Sequence, residues 1–164
     1  MAVLGAIAER PTHGFAVASL FGPEQALGRV WRLPRPLVYR EFDRLLSVGW
    51  VRVEGTEDGE RGPARTVVAI TPQGRTEIDA WLSRPVLRAR DARSALMLKL
   101  ALHQRAGTDP TELIAAQRAV FRQRIAGLEQ AVQDAEPGGI EHMVALWRRC
   151  STQAVLDFLD TQQP

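Results

Sequence analysis

A single cysteine, Cys150, leaves this 164-residue chain unable to form an internal disulfide, and a reducing compartment suits it. No run approaches the ~18 unbroken apolar residues that a membrane span requires. Residues 1–9 hold no basic cluster, and Arg10-Pro11 cuts their apolar stretch short, so no signal peptide is expected. The histidines do not suggest a metal site, because His103 and His142 lie apart from each other and from Cys150. No nucleophile–base pair, phosphate-binding loop or carboxylate pair falls at a useful spacing, so neither catalytic residues nor a cofactor are expected. Internal repeats and low-complexity tracts are missing too. The expectation is therefore a cytoplasmic protein without enzymatic activity or membrane contact.

Positive charge is present in one chemical form. Of the 21 basic residues, Lys99 is the only lysine and the other 20 are arginines, for a net charge of +2. Arginine's planar fork suits bidentate contacts to phosphate and guanine, although a GC-rich genome also enriches it. Residues 1–90 hold 13 basic and 10 acidic groups, whereas residues 91–164 hold 8 and 9. The basic excess lies in the first half.

In that half, Leu4, Ile7 and Ala8 predict a short helix, broken at Pro11-Thr12-His13-Gly14. Thr12 can cap a second helix carrying Phe15, Val17, Ala18 and Phe21, which stops at Gly22-Pro23. Residues 29–33 read as strand or loop. The clearest helix places Val38, Phe42, Leu45 and Leu46 on one buried face, with Pro34 and Pro36 at its start and Gly49 just past its end. Its outward face carries Pro36, Arg40, Asp43 and Arg44, with Tyr39 at the flank. Residues 50–54 and 66–70 read as strands, and the polar, glycine-bearing stretch 55–65 joins them as a hairpin with a long tip. Thr71-Pro72 starts another helix, packed through Ile78, Trp81 and Leu82, and Trp31 and Trp50 are assigned to the core.

From residue 91 the pattern is almost all helix. Residues 95–102 are apolar on nearly every side and should be buried on more than one. A long helix after Asp109-Pro110 carries Leu113, Ile114, Val120, Phe121, Ile125, Leu128 and Val132. After the turn Pro137-Gly138-Gly139, a last helix presents Ile140, Met143, Val144, Trp147, Cys150, Ala154, Val155 and Phe158. Both stripes together exceed what a two-helix hairpin buries. Ile114, Phe121, Leu128, Met143 and Trp147 are therefore expected to pair two copies.

Three helices and a two-stranded hairpin, the third helix showing arginines outward, follow the order of a winged helix-turn-helix. The expected architecture is mostly α, with a three-helix core and two-stranded β-wing over residues 1–83. A C-terminal helical dimerisation domain covers residues 91–161. A helix fits the major groove, where exposed arginines meet base edges, and a basic hairpin tip reaches the neighbouring backbone. Arg40 and Arg44 are the candidate base readers, although each could instead pair with Glu41 or Asp43. His13 could contact a phosphate or simply cap a helix, and Arg61 and Arg65 are the wing contacts.

Leu4-Gly5 leading to Pro11-Thr12-His13-Gly14-Phe15 resembles the opening of PadR-family regulators. Leu37-Val38-Tyr39-Arg40 and Arg44-Leu45-Leu46-Ser47-Val48-Gly49-Trp50-Val51 are similar to that family's recognition helix. Gly62-Pro63-Ala64-Arg65 and Thr71-Pro72-Gln73-Gly74-Arg75 resemble its wing and fourth helix, and Leu98-Lys99-Leu100 a common opening of its C-terminal part. The expected pairing of two copies implies a near-palindromic DNA operator. The resemblance implies repression, with the Tyr39 hydroxyl on a phosphate, although Tyr39 could instead merely cover the helix flank. It also implies that Trp147 either anchors the dimer core or lines a pocket for a small aromatic or hydrophobic effector. Two departures bear on the contacts. The first helix is shorter than in most of the family, and Pro34-Arg35-Pro36 stands where small polar residues are usual, which moves the expected backbone contact to Arg35. The competing reading is a winged helix that docks a protein instead of DNA. Such a module would more often show an apolar patch in place of the outward arginines.

Overall fold

The computed structural model describes residues 1–59 and 62–162. They form two compact units, one of Met1–Ser83 with Leu98–Thr108, the other of Arg84–Met97 with Asp109–Pro164.

The first unit is a winged helix. Helices α1 (Ala2–Ala8), α2 (Gly14–Leu20), α3 (Ala26–Val30) and α4 (Arg35–Ser47) precede strands β2 (Val51–Gly59) and β3 (Gly62–Ile70), and α5 (Pro72–Ser83) follows them. A two-residue strand β1 (Thr12–His13) pairs with β3, giving an antiparallel sheet in the order β1-β3-β2. Leu4, Ile7, Val17, Phe21, Leu27, Val38, Leu45, Val51, Val68 and Ile78 share one buried cluster. The segment 29–33 read as strand or loop instead begins inside a short helix, since Arg29 and Val30 belong to α3, and Trp31, assigned to the core, caps that helix and is exposed. Trp50 and Trp81 do pack against the core.

The recognition-type helix α4 ends as its residues dictate. Gly49 takes φ 71°, so the Gly49 and Trp50 amides turn back to donate to the Leu46 and Leu45 carbonyls. Thr71 then joins three elements. Its hydroxyl donates to the Gly49 carbonyl (2.7 Å), with the Trp50 carbonyl at 3.1 Å, and accepts from the Gly74 amide at the start of α5. Thr71→Val keeps the shape and removes all of this. It should cost about 0.5–2 kcal/mol, the range for a lost N-cap, measured by urea unfolding against wild type.

The hairpin runs further than residue types suggest. Its ladder continues through Thr56↔Thr66 and Glu57↔Arg65 to Gly59↔Gly62, with irregularities at Val53/Gly55 and Glu57/Gly59. The polar stretch read as a loose tip is therefore largely strand, because main-chain pairing does not need apolar side chains once the register is set.

The second unit contains α6 (Ala89–Asp91), a π-turn Ala92–Leu96, and the antiparallel pair α8 (Thr111–Asp134) and α9 (Ile140–Asp160). Helix α7 (Met97–Ala106) begins at the change between units. Its Leu98 and Leu102 belong to the first unit's core, so this stretch of the expected C-terminal domain folds with the winged helix. Leu102 packs over Gly5, and Arg105 forms a paired fork with Glu9 at 2.6 and 2.7 Å. No helix among the described residues is long and apolar enough to cross a membrane.

Candidate nucleic-acid interface

The exposed side chains of α4 gather with the start of α2 and with β3 around one aromatic ring. Phe15 is 43% exposed, although its place in the α2 pattern suggested the core. The Arg35 guanidinium lies 5.1 Å from the ring centroid and that of Arg65 lies 4.9 Å from it. Each contact contributes about 0.5–1 kcal/mol at an exposed site, which biases the two long side chains toward the ring without fixing them. The His13 ring stacks beside Phe15 at 6.4 Å between centroids. Tyr39 is exposed and rests against Gly14, where an added Cβ would fall 2.6 Å from the ring. That close approach requires a glycine. A cavity of about 520 Å³ opens among these groups, with Phe42, Leu46 and Val68 at its floor.

His13 resolves the choice between capping and contact on one side of its ring. Nδ1 accepts from the Ala16 amide at 3.2 Å, so His13, and not Thr12, caps α2. The neutral ring then carries its proton on Nε2, which lies 3.8 Å from the Glu57 carboxylate on β2. In the sequence Phe15 stands only as part of the apolar face of α2, and nothing there marks Glu57. The Gly14-Phe15 pair was visible, but nothing in it distinguished an exposed aromatic from a core one.

The two arginines expected to read bases differ. Arg40 is exposed, with no ion pair among the described residues. Arg44 is held by Glu41 through two hydrogen bonds, at 2.6 and 2.8 Å, and its guanidinium lies 5.2 Å from the Trp50 ring centroid. Those hydrogen bonds hold the Glu41 carboxyl below its usual range and raise the Arg44 guanidinium further. Arg44 is therefore spoken for, because Glu41 sits three residues earlier on the same helix and its fork geometry is satisfied locally. Arg61 lies outside the described residues.

In the second unit the expected dimer residues divide in the same way. Ile114 and Phe121 are buried within the chain itself, so they are not available to pair two copies. They face α9, which presents Ala145, Thr152, Leu156 and Leu159 toward the hairpin interior. Leu128 is half-buried beside Val144 and Ala145. Met143 and Trp147 are 53% and 74% exposed, and Cys150, read as part of a buried face, is exposed as well. Among the described residues no cluster of three or more His, Cys, Asp or Glu could hold a metal ion.

Residues 3–80 match the transcriptional regulator PadR-like family. A probable transcriptional regulator of Mycobacterium tuberculosis is 26% identical over 96 residues, covering 58% of this chain and 49% of the relative. The match thus spans about half the length of that curated protein. The crystal structure of Bacillus subtilis PadR in complex with operator DNA aligns with a TM-score of 0.49 and 18% identity, covering 98% of this chain and 94% of the other.

Proposed function

We propose, from the premise that residues 3–80 are a PadR-like domain, that this chain is a homodimeric regulator that binds duplex DNA and represses transcription at a near-palindromic operator. The observation that carries the reading is the cluster at Phe15. Arg35 from α4 and Arg65 from the wing are steered onto one ring, beside Tyr39 and an unpaired Arg40. A helix entering the major groove would bring Arg40 to base edges and set Arg35, Tyr39 and Arg65 against flanking phosphates. Glu57 would hold His13 near the same backbone. Such a regulator works in the cytoplasm, where exposed Cys150 stays reduced. Its second unit would hold both the dimer contact and the effector site, with Trp147 between them.

A gel shift with DNA from upstream of the gene, at near-physiological salt, tests the reading. A protein-docking winged helix would leave that fragment unshifted. Arg40→Ala should lose about 1–3 kcal/mol of binding and relax preference at one base position. Arg44→Ala should lose much less, because its guanidinium already serves Glu41. Arg65→Ala should weaken all sequences alike and lower the salt slope by about one unit. Equal losses for Arg40→Ala and Arg44→Ala would remove this assignment of roles.

A further inference from the structure

A cavity of about 780 Å³ lies wholly within the second unit, and five of its lining residues are arginines. Arg88 caps α6, Arg90 lies within it and Arg93 in the π-turn that follows, while Arg124 comes from α8 and Arg148 from α9, with Trp147 beside it. Asp91 stands 3.9 Å from Arg90. Among the described residues, Arg88, Arg93, Arg124 and Arg148 have no ion pair, and all four are exposed. Folding has thus gathered positive charges from three segments around one cavity, a local field that favours an anion. The volume falls within the range of small-molecule sites, about 300–1,000 Å³. The indole of Trp147 is 74% exposed and takes part in no cation–π contact among the described residues, so its face is open for stacking. A monoanion would satisfy one or two guanidiniums and leave the others without a partner. A chain of phosphates attached to a flat ring would satisfy several and cover the indole.

We infer that this cavity binds a nucleotide carrying two or more phosphates, its base stacked on Trp147 and its phosphates held by Arg88, Arg93, Arg124 and Arg148. The inference deepens the reading of the second unit as the effector-binding part of the regulator, and it changes the ligand class from hydrophobic to polyanionic.

Isothermal titration of the full-length protein with ATP, GTP, CTP and UTP, with adenosine, inorganic tripolyphosphate and 4-hydroxybenzoate as comparisons, tests it. At least one triphosphate should bind about a hundredfold more tightly than adenosine or the carboxylate, as two or more charge-assisted contacts provide. Arg124→Gln and Arg148→Gln should each weaken that nucleotide about tenfold. Trp147→Leu should lower the nucleotide toward the affinity of tripolyphosphate and leave tripolyphosphate itself unchanged. Nucleotide binding insensitive to both arginine changes, or 4-hydroxybenzoate binding as tightly as the best triphosphate, would overturn the inference. So would arginine variants that only alter the dimer or the DNA shift while no nucleotide binds the wild type. Upstream DNA shifted by a protein that binds none of the four nucleotides overturns this inference alone. Nucleotide binding without any DNA shift keeps it and removes the DNA-binding reading.

Discussion

Met143→Glu should turn the protein from a dimer into a monomer and weaken its hold on upstream DNA by about 10²–10⁴-fold, the gain that linking two half-site contacts provides. Helix α9 has two apolar faces. Ala145, Thr152, Leu156 and Leu159 are buried in the hairpin with α8, whereas Ile140, Met143, Trp147 and Ala154 lie on roughly the opposite side and are exposed. Ile140, Met143 and Ala154 recur along that exposed face and mark an interaction surface, with the Trp147 indole left to the arginine cavity it lines, and closed two-fold pairing is the commonest way to cover such a surface. Met143 is 53% exposed in the protomer, so a carboxylate there leaves the hairpin intact while placing two charges against each other across a two-fold axis. Sedimentation at micromolar protein, with gel shifts on the same samples, gives both readouts. A wild-type protein that sediments as a monomer and still shifts the fragment would end the dimer reading. Leu128→Glu is a poorer probe, because Leu128 packs partly against α9 within the same chain.

The winged helix was legible in the sequence because local signals agreed. Val38, Phe42 and Leu45 are buried on one side of α4, Gly49 ends it in the left-handed region, and Thr71 caps α5 as its neighbours Pro72 and Gly74 suggest. What escaped depends on contacts between distant segments. Nothing near Phe15 announces that Arg35 and Arg65, 20 and 50 residues away, will lie over its ring. The role of Arg44 was open in the sequence, since Glu41 stands three residues before it; only the geometry chooses pairing over base contact. The C-terminal stripes misled for a related reason. Periodicity finds apolar faces but does not say which covers which, so Ile114 and Phe121, buried in the protomer, were grouped with Met143 and Trp147, exposed on it. The fivefold arginine cavity is legible only once α6, α8 and α9 are brought together.

Replacing Gln117 should damage the second unit severely. It is fully buried on α8, in line with Leu113, Ile114 and Phe121, at a position where the apolar stripe breaks for one polar residue. That break was the available signal. The side-chain amide grips the main chain of Val86 from both sides, accepting from its N–H at 2.7 Å and donating to its carbonyl at 2.8 Å. Segment 84–97 is thereby fastened to α8 with both buried main-chain groups satisfied. Gln117→Leu keeps most of the volume and leaves the Val86 N–H and carbonyl unpaired. At about 1–3 kcal/mol for each buried group without a partner, the loss should be about 2–6 kcal/mol in urea unfolding of the second unit. Gln117→Glu separates hydrogen bonding from packing. Its ionised carboxylate can accept from the Val86 N–H but offers nothing to the carbonyl, and burial disfavours its charge. Its protonated form both accepts and donates. Burial raises the carboxyl's folded-state pKa above its unfolded value, so protonation favours the folded state. The variant should therefore be least stable at neutral pH and recover as pH falls through that raised pKa. Wild type, with an amide that does not titrate, should show no such recovery. Stability of Gln117→Leu within about 0.5 kcal/mol of wild type, the range of an inconsequential surface change, would mean that the clamp on Val86 does not hold this unit together.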